Sequence, residues 1–194
     1  MKKIVYTLLF AILGSAAVKA QDYGQDSVKC RENLYIYYEL AKKKQWLEAW
    51  EGWNYVFENC PASSKNNVIY GPYIVEAKIK EAEKSKNDPL AQKYKQLLMD
   101  VYDARNKYYP GQEGYVYQRK ALDMVQHFPD SSMAAYKLFK QALELDGPEQ
   151  SAAFYNYYFV TAARLFNDDA FTVEDVFTSY NVVMEGIEVN NNAL

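Results

Sequence analysis

Apolar residues in this chain recur at intervals of three and four, and almost nowhere at intervals of two. From Trp46 they fall at Ala49, Trp50, Trp53, Val56, Phe57 and Cys60, and a second stripe runs Phe154, Tyr155, Tyr158, Phe159, Ala162, Leu165 and Phe166. That is the spacing of one helix face, whereas a half-buried strand would alternate. There is no sustained alternation and no Asn-Gly hairpin turn,. The fold class is therefore all-α.

Breaks at Lys44-Gln45, Cys60-Pro61, Pro110-Gly111, Phe128-Pro129-Asp130, Gly147-Pro148 and Asn167-Asp168-Asp169 punctuate the pattern,. They predict about eight helices, at roughly 28–43, 46–59, 64–84, 88–108, 113–127, 131–146, 149–166 and 172–188. Asp88-Pro89 reads as an N-cap followed by proline at the first helical position, and Thr172 with Asp175 as a capping-box start. Gly71-Pro72 predicts a kink or a late start in the third helix. Links this short make successive helices antiparallel neighbours.

The first twenty residues, MKKIVYTLLFAILGSAAVKA, have basic residues, a short apolar core and a small-residue end, the pattern of a secretory signal peptide at 1–20,. Cleavage is expected after Ala20, with no membrane span afterwards, and no cysteine at the junction points to a lipoprotein. A short linker at 21–27, a helical domain at 28–189 and a tail at 190–194 follow. Without the three leader lysines, 19 of the 22 Lys+Arg remain against 25 Asp+Glu, a net charge of about −6,. An acidic chain with no basic stripe is a poor partner for nucleic acid. Lys42-Lys43-Lys44 reads as a solvated helix end, complementing the helix dipole.

A further regularity lies in the second helix of each pair. A small residue, then an aromatic four positions on, then proline at the helix end, stands at Ala49, Trp53 and Pro61. Ala135 and Phe139, closed by Gly147-Pro148, repeat it. Leu98, Tyr102 and Pro110 make a weaker copy, and Val176 with Tyr180 the weakest. In this the chain resembles the tetratricopeptide-repeat family, and its leader, CREN and NCP segments are similar to those of exported members from Bacteroidota-type envelopes. The signatures start 49, 37 and 41 residues apart (Ala49, Leu98, Ala135, Val176), against roughly 34 in the family. In the first helix of a pair the family has Trp, Leu-Gly and Tyr. This chain instead has Asn33, Ile36-Tyr37 and Leu40, then Arg119, Leu122-Asp123 and Gln126. The resemblance implies antiparallel hairpins stacked as a divergent, TPR-like α-solenoid, a scaffold that holds protein segments.

In such a hairpin the start of the first helix and the end of the second lie together, which places Cys30 beside Cys60. In an oxidising compartment a disulfide is expected there, with two buried free thiols as the alternative. Chemistry beyond this is sparse. The one histidine, His127, precedes Phe128-Pro129 at a helix end. It reads as a cation near a helix C-terminus, and the ligand sets of zinc sites are missing. The acids at Asn167-Asp168-Asp169 and Glu174-Asp175 lack the EF-hand spacing, and no nucleotide or nucleophile-elbow motif occurs. The expectation is a non-enzyme without cofactor or metal. The 19 tyrosines and three tryptophans read mainly as helix-interface packing, with Trp46, Trp53 and Phe57 inward and Trp50 at the stripe's edge. The candidate binding surface is Tyr37, Lys44, Trp50, Arg119 and Lys120. The functional expectation is an exported adaptor for protein–protein interactions in the cell envelope. The alternative is a glycan-binding module of an outer-membrane nutrient-uptake system, which would display Trp and Tyr platforms to sugars.

Overall fold

The computed structural model describes residues 22–192, so the leader at 1–20 lies outside the described residues. Among those residues there are eight α-helices and no strand: α1 Ser27–Lys42, α2 Trp50–Asn59, α3 Asn66–Lys84, α4 Asp88–Tyr108, α5 Glu113–His127, α6 Ser132–Asp146, α7 Ala152–Asn167 and α8 Val173–Asn192. Each helix packs against the next in sequence. Beyond that, the backbones of α1 and α3 and of α5 and α7 also approach each other, whereas even-numbered helices meet only through side chains, Trp50 with Tyr94 and Tyr136 with Ser179. None of the described helices is long and apolar enough to cross a membrane.

Local chemistry explains most boundaries. Asp26 caps α1 by accepting from the Lys29 N–H at 3.0 Å, and Ser151 caps α7 through Phe154 N–H,. The Thr172 box is complete: Asp175 accepts from the Thr172 N–H at 2.8 Å, and its own N–H donates back to Thr172 Oγ1,. Four boundaries depart from expectation. Asn87, not Asp88, caps α4, accepting from Leu90 N–H. α3 runs unbroken through the buried Pro72. α2 begins at Trp50 because Trp46–Ala49 form a turn after Lys44, which adopts φ 59°. α8 runs on to Asn192, past the expected start of the tail, since no glycine or proline stands between Ile187 and Asn192 to stop it.

The apolar interior forms two clusters. One fills α1–α4 and reaches Val116 on α5, and the other runs from Ala121 through α6 and α7. Ala49, Trp53, Leu98, Tyr102, Ala135 and Phe139 are all buried, while Pro61 is half-buried and Pro110 exposed. The first cluster is organised by Trp53, whose indole N–H donates to the Asn67 carbonyl at 2.7 Å. The Asn67 side chain accepts from the Tyr37 hydroxyl and donates to the Pro61 carbonyl and Ser63 Oγ. The polar side-chain atoms of Tyr37, Trp53 and Asn67 are thus paired, as a buried network requires,. In the second cluster the Tyr136 hydroxyl bonds Tyr158 and Ser179 at 2.9 and 2.8 Å, tying α6, α7 and α8 together.

Close approach of three helices depends on Gly71. A Cβ there would lie 2.9 Å from both Trp53 Cζ2 and Val101 Cγ1, so glycine lets α3 slide between α2 and α4. Gly71→Ala is expected to lower stability by roughly 1–3 kcal/mol in chemical denaturation, overpacking outweighing alanine's better helix propensity.

Cys30 and Cys60 are joined, their Cα atoms 6.5 Å apart, which closes the first hairpin. Constraining that loop in the unfolded chain contributes about 3–4 kcal/mol. Cys30→Ser/Cys60→Ser should lower the melting midpoint by roughly 6–12 °C, read by circular dichroism.

Candidate functional site

The two apolar clusters meet across a polar seam, and a groove opens there. α3 and α5 do not pack backbone to backbone. The space between them, about 370 Å³, is lined by Pro72, Tyr73, Glu76, Ala77 and Lys80 from α3, by Arg119, Asp123 and Gln126 from α5, and by Trp46. The turn that delays α2 is what brings Trp46 here. Its ring stacks on Tyr73 at 5.3 Å with planes 20° apart, making a flat apolar strip beside charged groups. Tyr73 is half exposed, so the strip is open to solvent.

The charged groups are held in place. His127 is buried, and its Nε2 lies 2.5 Å from Glu76 Oε1, the polar bridge between α5 and α3. Burial pushes the Glu76 carboxyl up, but the His127 contact and the charges of His127, Lys80 and Lys95 outweigh it and hold Glu76 below the usual carboxylate range,. Its other oxygen, Oε2, is buried with no hydrogen-bond partner in the protein and lies 3.9 Å from Lys80 Nζ. Asp123 shows the opposite balance. Burial raises its carboxyl, opposed only in part by the Tyr102 hydroxyl, which donates at 2.5 Å, and by Arg119. Burial also raises the Tyr102 phenol, with Asp123 adding to the effect. Burial disfavours the charged Arg119, yet Tyr102 and Asp123 hold its guanidinium above its ordinary value, so it stays charged. The result is a fixed cation, two carboxylates with displaced protonation and an aromatic strip, all on one groove. Such a set can hold the backbone and side chains of an extended chain, or the hydroxyls and faces of a sugar. Among the described residues no three His, Cys, Asp or Glu side chains gather as a metal-binding group.

The residues expected to form a binding surface are scattered, and of those five only Arg119 lines the groove. Tyr37 is wholly buried, its hydroxyl occupied by Asn67, so it is core rather than surface. Lys44 sits exposed at the α1–α2 turn. Trp50 packs edge-on against Tyr94 at 5.1 Å, on the opposite side of α3 from the groove, beside a hollow shared with Asn54 and Lys93. Lys120, one position beyond Arg119, turns away and pairs with Asp103 at 2.5 Å. His127 does end α5, as expected, and in addition makes a tertiary bridge to Glu76. Trp46 was read as core and stands at the groove wall. One sequence signal did mark the site: Arg119, Asp123 and Gln126 are the α5 residues that depart from the repeat signature. Their spacing of four and three puts them on one face. Glu76 carried no comparable signal, because its partner lies 51 residues away.

Comparison with protein-family models, with curated proteins and with solved structures finds no match. The reading of the groove rests on its geometry.

Glu76 gives a pH signature. A carboxylate lowered in the folded state stabilises the protein fully above its unfolded value near 4.5, and that contribution is lost as pH falls through the folded value. Glu76→Gln should therefore destabilise by roughly 1–3 kcal/mol at pH 7. The gap from the unsubstituted protein should narrow only as pH falls below the unfolded value and through the lowered folded one, as followed by urea denaturation at a series of pH values,.

Proposed function

We propose that this protein is an exported, non-enzymatic scaffold of tetratricopeptide-like helical hairpins, and that the α3–α5 groove holds a segment of a partner protein in the cell envelope. The observation that carries the reading is the orphaned Glu76 Oε2, buried in a groove that also presents the Trp46–Tyr73 strip and Arg119. A buried acceptor without a donor is unfavourable, and a backbone N–H or a basic side chain of a bound segment would satisfy it. Arg119 would take a carbonyl or carboxylate of the same segment, and the aromatic strip would cover an apolar side chain. Aromatic and arginine groups on a rigid wall are the features that concentrate binding energy. Export is supported by the leader sequence and by the Cys30–Cys60 disulfide, which persists in oxidising compartments,.

A glycan-binding role is the second reading, favoured by the same Trp46–Tyr73 strip, since a sugar face stacks on such a surface while Asp123 and Arg119 meet its hydroxyls. A displayed peptide library and a panel of soluble polysaccharides, offered in parallel, separate the two. Saturable peptide binding, weakened at least tenfold by both Tyr73→Ala and Arg119→Ala, is the expected result. Polysaccharide binding lost in Tyr73→Ala, with no peptide retained, would replace the scaffold by the glycan reading. Ligands indifferent to both substitutions would remove the groove from consideration.

A further inference from the structure

Three times within this chain an even helix is covered by the odd helix that follows it: α2 by α3, α4 by α5 and α6 by α7. Among the described residues no helix covers α8 in this way, and none covers the outward face of α1. Both faces carry apolar side chains in water. On α8 they are Val173, Phe177, Tyr180, Met184 and Ile187, between 44 and 63 % exposed. Their spacing of four, three, four and three is that of a seam meant for another helix. Phe177 and Tyr180 also wall a hollow of about 270 Å³ against Phe159 and Phe166 of α7, lined by apolar side chains alone. The weakest copy of the repeat signature, Val176 with Tyr180, falls here. Tyr180 has the spacing of a core residue and meets Phe159 edge-on, yet is 46 % exposed. At the other end, α1 shows Val28, Tyr35 and Ile36, at 66, 69 and 53 %.

The charges of the two ends are opposite. α8 bears Glu174, Asp175, Glu185 and Glu188 and no lysine or arginine. α1 with its following turn bears Lys29, Arg31, Lys42, Lys43 and Lys44 against Glu32 and Glu39. We infer that the α8 face of one copy receives the α1 face of a second copy, so that the protein associates head to tail. An α8–α8 pairing would set acid against acid with no cation between, which disfavours it. The α1 face supplies an apolar stripe and the complementary charge together, and it continues the even-on-odd packing already made three times. Such a contact is heterologous: the two surfaces differ, so each dimer keeps one free end of each kind. Growth then gives a ring if the rotation closes and an open filament if it does not. The α3–α5 groove lies away from both ends, and this association stands or falls independently of what the groove binds.

Phe177 and Ile36 are both well exposed, so aspartate at either leaves the fold intact, as circular dichroism will show. Sedimentation velocity across a concentration series is the test. The unsubstituted protein should form oligomers that grow with concentration, and Phe177→Asp and Ile36→Asp should each weaken self-association at least tenfold. An equimolar mixture of the two variants should then give a one-to-one dimer and nothing larger, because it restores one intact contact. A monomeric unsubstituted protein at all concentrations would overturn the inference. So would an Ile36→Asp variant that dimerises as well as the unsubstituted chain, which would mean that α8 pairs with itself.

Discussion

Among the described residues a helix hides its apolar stripe mainly against the helices next to it in sequence. No sheet or long crossover among them brings distant segments together. Each pair must therefore close on its own chemistry, and the first pair shows how. Trp53 lies over Gly71, where the absence of a side chain lets α3 reach α2 and α4 at once. Its indole N–H then fixes Asn67, and Asn67 in turn holds the Tyr37 hydroxyl. One aromatic ring thus sets the spacing of four helices, with the disulfide locking the hairpin's open end. Remove the close approach at Gly71 and the interior of the first half loses both its packing and its polar satisfaction.

The same constraint produces the seam. Apolar cover stops near Val116 on one side and resumes at Ala121 on the other. Between them α5 turns a polar face to α3 and α4. The groups there are not solvated at random. Tyr102 grips Asp123, His127 grips Glu76, and Lys120 grips Asp103. Each contact reduces the freedom of a group that faces or flanks the groove, so a ligand meets a wall already ordered. Burial supplies the rest. It displaces the two groove carboxyls in opposite directions because their neighbours differ, cationic around Glu76 and more weakly opposed around Asp123.

Fold and site were unequally visible in the sequence. Eight helices follow from spacing and punctuation, because capping residues and prolines act within a few positions of themselves. The disulfide was visible for the same reason, once the hairpin was assumed. Errors fell where a tertiary contact overrode a local rule. Trp46 sits at helical spacing, yet leaves the helix to stack on Tyr73. Tyr37 falls outside the simple stripe, yet is buried because Asn67 offers its hydroxyl a partner. Arg119, Asp123 and Gln126 were visible as breaks in a repeat signature, while Glu76 and His127 were not, since nothing in a single helix announces a partner on another. Lys120 shows the limit of resolution: one residue from Arg119, it points to a different neighbour.

The most direct test of the groove as the contact face uses the native chain in cells. Amine-reactive crosslinking followed by mass spectrometry would compare Lys80, which lines the groove, with Lys93, Lys137 and Lys140, exposed on even helices. Links to one or two recurrent proteins, concentrated at Lys80, are the predicted result. Links spread evenly over these lysines, or gathered on the even helices, would contradict the account.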